Sequence, residues 1–218
     1  LLGTWFSRLR QAERTGNAAA RGEASAILAR LLVARGTELE LAIALATAAL
    51  SVRDDLGLRT ELAAWTAGLG EPARAAEILL ANSEADPATR QKLLLRAGVL
   101  WARAGRPGDA AATFEAAHEI APTAPMPLEL LGTLAAWADP IISRGRGSSA
   151  YLQAAELRQQ QGQEDAALED LLRAHELDPS ASAPVKRLAA LLEGMGRVLA
   201  ADEVLRSFGQ RHRKLSSR

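Results

Sequence analysis

The sequence has no cysteine, which removes disulfides, thiolate metal sites and a cysteine nucleophile and leaves the compartment open between cytoplasm and periplasm. Aromatic residues make up 4% of the chain and β-branched residues are scarce. No useful stretch alternates polar and apolar residues, so helix is expected throughout and sheet nowhere. Long apolar runs are also missing. The longest uncharged stretch, Leu41–Val52, is too short to cross a bilayer and too far from the start to be a signal peptide. Net charge is lacking too: 26 Lys and Arg balance 26 Asp and Glu, so no global field draws nucleic acid or acidic lipid. The chain opens on Leu1 rather than Met, from which an absent upstream segment is expected.

What is present is Ala, Leu and Arg, a usage that looks like that of a GC-rich bacterium, and a spacing. A turn glycine is followed by alanine at five residues, a large apolar residue at nine, a small one at twelve and proline at seventeen. One copy is Gly105, Ala110, Phe114, Ala117, Pro122; the next is Gly162, Ala167, Leu171, Ala174, Pro179. A third is Gly70, Ala75, Leu79 and Pro87, with Asn82 at the small position. The glycines opening the copies are Gly36, Gly70, Gly105, Gly162 and Gly196, separated by 34, 35, 57 and 34 residues. Upstream, residues eleven, seven and four before the glycine are large, small and large: Leu94, Gly98 and Trp101, or Val185, Ala189 and Leu192. Before Gly162 the same places hold Tyr151, Ala155 and Arg158.

This pattern resembles the tetratricopeptide repeat (TPR), most closely over Gln91–Ala124 and Ser148–Ala181. The likeness is looser over Leu56–Arg90 and Ser182–Leu215, and weakest over Gly22–Asp55, where Leu41 stands in the alanine's place. The resemblance implies an all-α solenoid of stacked antiparallel helix pairs wound into a right-handed superhelix. Its expected organisation is a degenerate helix in 1–21, three pairs in 22–124, an irregular helix and loop in 125–147, two pairs in 148–215 and a tail in 216–218. Helices are expected over Thr4–Arg14, with Thr4 as N-cap, and over Leu128–Ala138 and Ala150–Gln161, with a loop across Ser143–Ser149. No partner in the expected register is evident for the first of these.

In TPR proteins the first helix of each pair lines a concave groove. The positions thirteen, ten, six, three and two before the glycine contact ligand. Carried over, they are Lys92, Leu95, Val99, Ala102 and Arg103 in one repeat, and Ser149, Leu152, Glu156, Gln159 and Gln160 in the next. The last repeat offers Ala183, Lys186, Ala190, Glu193 and Gly194. The partner-binding candidates are Lys92, Leu95, Val99, Arg103, Leu152, Glu156, Gln159 and Lys186. A carboxylate clamp of the co-chaperone kind needs asparagines in the groove, and Asn17 and Asn82 fall on none of these offsets.

Other groups read as structural. His118 and His175 each lie thirteen residues after a repeat glycine, so they are displaced along the array rather than converging. Asp54-Asp55 and Glu164-Asp165 with Glu169-Asp170 suit helix N-termini better than a catalytic pair. Gly145-Arg146-Gly147 lacks the Lys-Ser/Thr of a phosphate loop. The basic run Arg211-His212-Arg213-Lys214 complements a helix C-terminus. Trp101 is expected in the core, and Trp137, on the irregular helix, is a candidate for exposure.

No catalytic residue, metal site or cofactor is therefore expected. The reading is a non-enzymatic scaffold or adaptor that takes a protein or peptide partner in the groove, within a larger bacterial assembly. The alternative is a sensor domain of a longer protein that binds a small ligand or signal peptide. The 57-residue interval carries one more expectation. Two repeats need about 68 residues, so roughly eleven are missing. Leu128–Ala138 would then be a first helix without a second, and an uncovered apolar face is not left open. An irregularity is expected between Asp139 and Ser149, either a chain discontinuity, which is preferred, or a kinked junction between two sub-blocks.

Overall fold

The computed structural model describes residues 1–81, 85–138 and 144–216, the side chains of 138 and 211–216 apart. Among them there are twelve helices and no strand. They are α1 (Leu2–Thr15), α2 (Ala18–Ala34), α3 (Leu39–Val52), α4 (Leu56–Gly68), α5 (Pro72–Leu80) and α6 (Pro87–Arg103). Then come α7 (Pro107–Ile120), α8 (Met126–Ala138), α9 (Arg144–Gln160), α10 (Glu164–Leu177), α11 (Ser182–Gly194) and α12 (Val198–Ser216). The fold is an all-α solenoid type. The chain divides into two compact units, Leu1–Ala110 and Ala111–Arg218, with the division inside α7.

Each turn glycine has a backbone reason. Gly36, Gly70, Gly105, Gly162 and Gly196 all have positive φ, between 67° and 84°, a region that a Cβ makes costly. In that conformation the chain closes the preceding helix with two hydrogen bonds. At Gly105 its N–H donates to the Ala102 carbonyl at 3.0 Å and the Arg106 N–H to the Trp101 carbonyl at 3.0 Å. This satisfies carbonyls that a helix end leaves open and reverses the chain within two residues.

In the first unit α1 packs on α2, α2 on α3, α3 on α4, α4 on α5 and α5 on α6. The repeat alanines sit where helices approach most closely: Ala75, Ala110, Ala167 and Ala201 are fully buried across the two units. The repeat around Gly36 departs from this, and the structure gives the reason. Leu41, five residues after the glycine, is exposed, while Ala42 is fully buried. An extra residue lies in the turn, because Glu38 also takes a left-handed conformation (φ 51°) before α3 begins at Leu39. Leu41 therefore does not replace the repeat alanine; Ala42 is that alanine, displaced by one. With Ala46, Ala49, Leu58 and Leu62 it forms the local core.

Other expectations are corrected as well. Thr4 lies inside α1 rather than capping it, and the partner of α1 is α2, which starts at Ala18 with the Asn17 side chain capping it. The same correction applies in the second unit. Residues 144–149 are not a loop but the first turns of α9. Gly145 and Gly147 are thus helical residues. Leu128–Ala138 is not left without a partner, because α8 packs along α9. The contacts run antiparallel, Glu129 to Arg158, Thr133 to Tyr151 and Ala135 to Gly147. The expected irregularity therefore does not extend into 144–149; residues 139–143 lie outside the described residues.

α2 and α9 share a role. Each is 17 residues long and has helices packed on two sides, α1 and α3 in one case, α8 and α10 in the other. Their buried residues accordingly run round the helix instead of forming one stripe, as with Gly147, Ser148, Ala150, Tyr151, Ala154 and Ala155 on α9. α9 reaches its neighbours through small residues. A Cβ on Gly147 would stand 2.8 Å from Ala135 Cβ, and one on Gly132 would stand 2.5 Å from the Tyr151 ring. That ring cannot swing aside easily, since its hydroxyl shares a 2.8 Å hydrogen bond with Thr133 Oγ1. Gly132→Ala and Gly147→Ala are each expected to destabilise the protein by about 1–3 kcal/mol through overpacking. Gly194→Ala, where a Cβ meets nothing within 4 Å, is the control and should be neutral or slightly stabilising in urea unfolding.

Candidate functional site

The first helices of the pairs carry the candidate partner-binding residues, and two ion pairs show how these helices meet. In the first unit Arg30 of α2 reaches Glu61 of α4, Nε to Oε2 at 2.7 Å. In the second unit Glu156 of α9 pairs with Arg187 of α11. Both join the position six before one turn glycine to the position nine before the next, with the signs exchanged. All four side chains are about two-fifths exposed, so each pair contributes about 0.2–1 kcal/mol and fixes neighbour geometry more than stability.

The pairs sort the candidates. Glu156 is already held by Arg187. Leu152 is half-buried against the α9–α11 core. Gln159 and Lys186 are exposed, as are Lys92, Val99 and Arg103 on α6, while Leu95 is half-buried. The eight residues fall on two units, four on α6 and four on α9 and α11, so they are two candidate faces. On α6 the exposed side contains Lys92, Arg96, Val99 and Arg103. The whole helix Pro87–Arg103 has no acidic residue. Arg96 is the residue the carried-over offsets missed; the absence of any acid from the helix was the available signal.

Beneath the second unit's face lies a buried polar group that spacing alone did not reveal. Arg158 occupies a large-residue position of the repeat but serves as an ionic link between three helices. Its guanidinium pairs with Glu129 of α8, and its Nε lies 3.0 Å from Asp170 Oδ2 of α10. The Nε–H is directed at Glu129 Oε1, 2.8 Å away. Asp170 Oδ2 thus receives charge attraction without a directed hydrogen bond. Its side chain is only 2% exposed. Asp170 is therefore no solvated helix-start carboxylate, in contrast to exposed Glu164, Asp165 and Glu169. Burial first, and then the nearby Glu129 carboxylate, raise its pKa from 3.8 to about 6 against the pull of Arg158.

The remaining polar candidates have structural roles. Asp55 caps α4 by accepting from Leu58 N–H at 2.9 Å, and Asp54 pairs with the largely buried Arg59 at 2.6 Å. His175 meets the Phe208 ring edge-on at 6.2 Å between centroids. Trp101 is buried with Arg106 stacked 4.3 Å from its ring centre, and Trp137 is exposed. Among the described residues no cluster of three His, Asp or Glu could hold a metal, and no helix is long and apolar enough to cross a membrane. An open cleft of about 310 Å³ lies between α1 and α2, lined by Trp5, Arg8, Gln11, Thr15 and Glu23. Arg8 stacks on Trp5 at 4.5 Å and so occupies its aromatic face. Asn82 and the side chains of Arg211–Lys214 lie outside the described residues.

The geometry defines a class: helix pairs closed by a left-handed glycine, with small residues at the crossings and first helices in register. A solved structure shares that fold. The C-terminal part of a TPR repeat-containing protein from Cytophaga hutchinsonii is similar with a TM-score of 0.54 at 14% identity, over 85% of this chain and 87% of that one. YrrB, a TPR protein described as having an unusual peptide-binding site, gives 0.42 at 15% identity over 82% and 96%. A MamA protein gives 0.40 at 14% identity over 90% and 94%. No protein-family model matches the sequence, and no curated protein matches it. The chain has the fold of the tetratricopeptide-repeat proteins.

The buried ion group makes two measurable predictions. Because the Asp170 pKa is raised by folding, its protonated form is the favoured one. The stability it contributes is complete below 3.8 and is lost as pH rises through about 6. Unfolding at fixed urea should show a gain of about 1–3 kcal/mol on acidifying from pH 7.5 to 4.5, and Asp170→Asn should flatten that segment. Asp86 and Asp178 act oppositely and in a lower window. Hydrogen bonds, first from the Thr89 and Ser180 side chains, lower their pKa values below 3.8. Their contribution is present above 3.8 and falls away only below it. Arg158→Met, which leaves two carboxylates facing each other without a cation, should cost about 2–4 kcal/mol at pH 7.5 and less at pH 5.

Proposed function

We propose that this protein is a non-enzymatic interaction scaffold that takes a protein segment along the first helices of its repeats, within a larger bacterial assembly. The observation that carries this reading is the exposed side of α6. Equivalent first-helix positions on α2 and α9 are engaged in ion pairs with the neighbouring first helix. On α6, Lys92, Arg96 and Arg103 have no ion-pair partner among the described residues, and Val99 between them is 42% exposed. A row of cations around an apolar residue offers long-range attraction and a desolvated contact together. Rigid packing of α6 on α5 lowers the ordering cost of binding.

The alternative, a sensor of a small ligand, would need a lined pocket. The α1–α2 cleft lends that alternative little support, being open and with Arg8 stacked on its one aromatic ring. Capture of partners from the source cell with mass spectrometry, followed by binding measurements, tests the scaffold reading. Replacing Lys92 and Arg103 together by Glu should weaken the captured partner at least tenfold with an unchanged circular dichroism spectrum. Unchanged binding would move the partner to another face or a terminus.

A further inference from the structure

Helices α6 and α10 carry one surface pattern in opposite charge. On α6 it is Lys92, Arg96, Val99 and Arg103; on α10 it is Asp165, Glu169, Leu172 and Glu176, each displaced by 73 residues. The spacing i, i+4, i+7, i+11 puts four side chains on one face of a helix over about three turns. All eight are exposed, and the two apolar members match, Val99 at 42% and Leu172 at 41%. Among the described residues, of the six charged members only Glu169 has an ion pair, a 3.9 Å contact with exposed Arg173. Neither stripe is needed to hold its own unit together.

Laid side by side in parallel, Lys92 meets Asp165, Arg96 meets Glu169, Val99 meets Leu172 and Arg103 meets Glu176. Reversing one helix would set Arg96 against Leu172 and Val99 against Glu169. The charges thus specify orientation as well as partner, as flanking charges do between paired helices. We propose that the protein self-associates, with the α6 stripe of one copy lying along the α10 stripe of a second copy. The proposal rests on the reading of α6 as a contact face and names an occupant for it. Two different patches are involved, so the contact is heterologous: two such contacts close a symmetric pair, and otherwise copies add head to tail. Three exposed ion pairs around one apolar contact are weak and salt-screened, so association depends on concentration and ionic strength.

The test uses the full chain in sedimentation equilibrium, at about 30 mM and about 500 mM salt, with two charge-reversed variants. One carries Lys92→Glu, Arg96→Glu and Arg103→Glu; the other carries Asp165→Lys, Glu169→Lys and Glu176→Lys. The wild type should gain mass with concentration at low salt and return to monomer at high salt. Each variant alone, with both stripes now of one sign and its helical dichroism intact, should lose association at least tenfold. An equimolar mixture of the two should recover it, because each then meets a complementary stripe. A wild type that stays monomeric up to about 0.5 mM at low salt, association that the α10 variant retains, or a mixture that stays monomeric would each overturn the proposal. A monomeric wild type whose captured cellular partner is still lost on reversing α6 would overturn self-association alone and leave the scaffold reading standing.

Discussion

The constraint on which the rest depends is that no helix of this chain can cover its own apolar side. Isolated helices of nine to nineteen residues, the lengths seen here, are marginal in water. Within each unit most contacts join helices adjacent in the sequence, and that stacking stabilises them. Close stacking requires two things that recur: an alanine where helices cross and a glycine where the chain must turn left-handed. Leu205 in α12 differs from its counterparts in other repeats. It stands nine residues after Gly196, where Phe114 and Leu171 are buried in their own repeats, yet it is exposed.

The departures from the repeat are informative because the same constraint explains them. Glu38 adds a residue to one turn, and burial moves from Leu41 to Ala42 while the alanine seam is kept. α8 follows a register that lacks a second helix, and α9, which starts as far ahead of its turn glycine as α2 and α6 do, covers it. Gly132 and Gly147 let the two helices approach closely at the α8–α9 contact. A helix covered on two sides has less room for large residues. This is why α9 is built largely from Gly, Ser and Ala where it is buried.

Polar chemistry in the fold follows the amount of water left at each place. Exposed pairs such as Arg30 with Glu61 fix neighbour register weakly. Arg158, where the repeat ordinarily has a large apolar residue, pairs with two carboxylates, and burial together with Glu129 pushes the pKa of one of them, Asp170, up to about 6 against the pull of Arg158. The charges on α6 and α10 remain in water and are not committed to the fold. Their opposite signs at equal spacing are what the proposed contact between copies would use.

Much of this was legible in the sequence. Glycine spacing determined the turns, since only a residue without Cβ adopts their backbone cheaply, and the scarcity of β-branched and aromatic residues left helix as the sole regular element. Trp101 in the core also followed from its place four residues before Gly105. Tertiary structure alone decided the rest. Whether Asp170 is solvated or buried depends on Arg158 and Glu129, residues twelve and forty-one positions away on other helices. The partners of α1 and α8 were hidden because α2 and α9 each serve two neighbours, which removes the single apolar stripe that periodicity detects. Which first-helix charges are free was equally a matter of packing: Glu156 and Lys92 look alike as repeat offsets, and only the approach of Arg187 across the helix interface separates them.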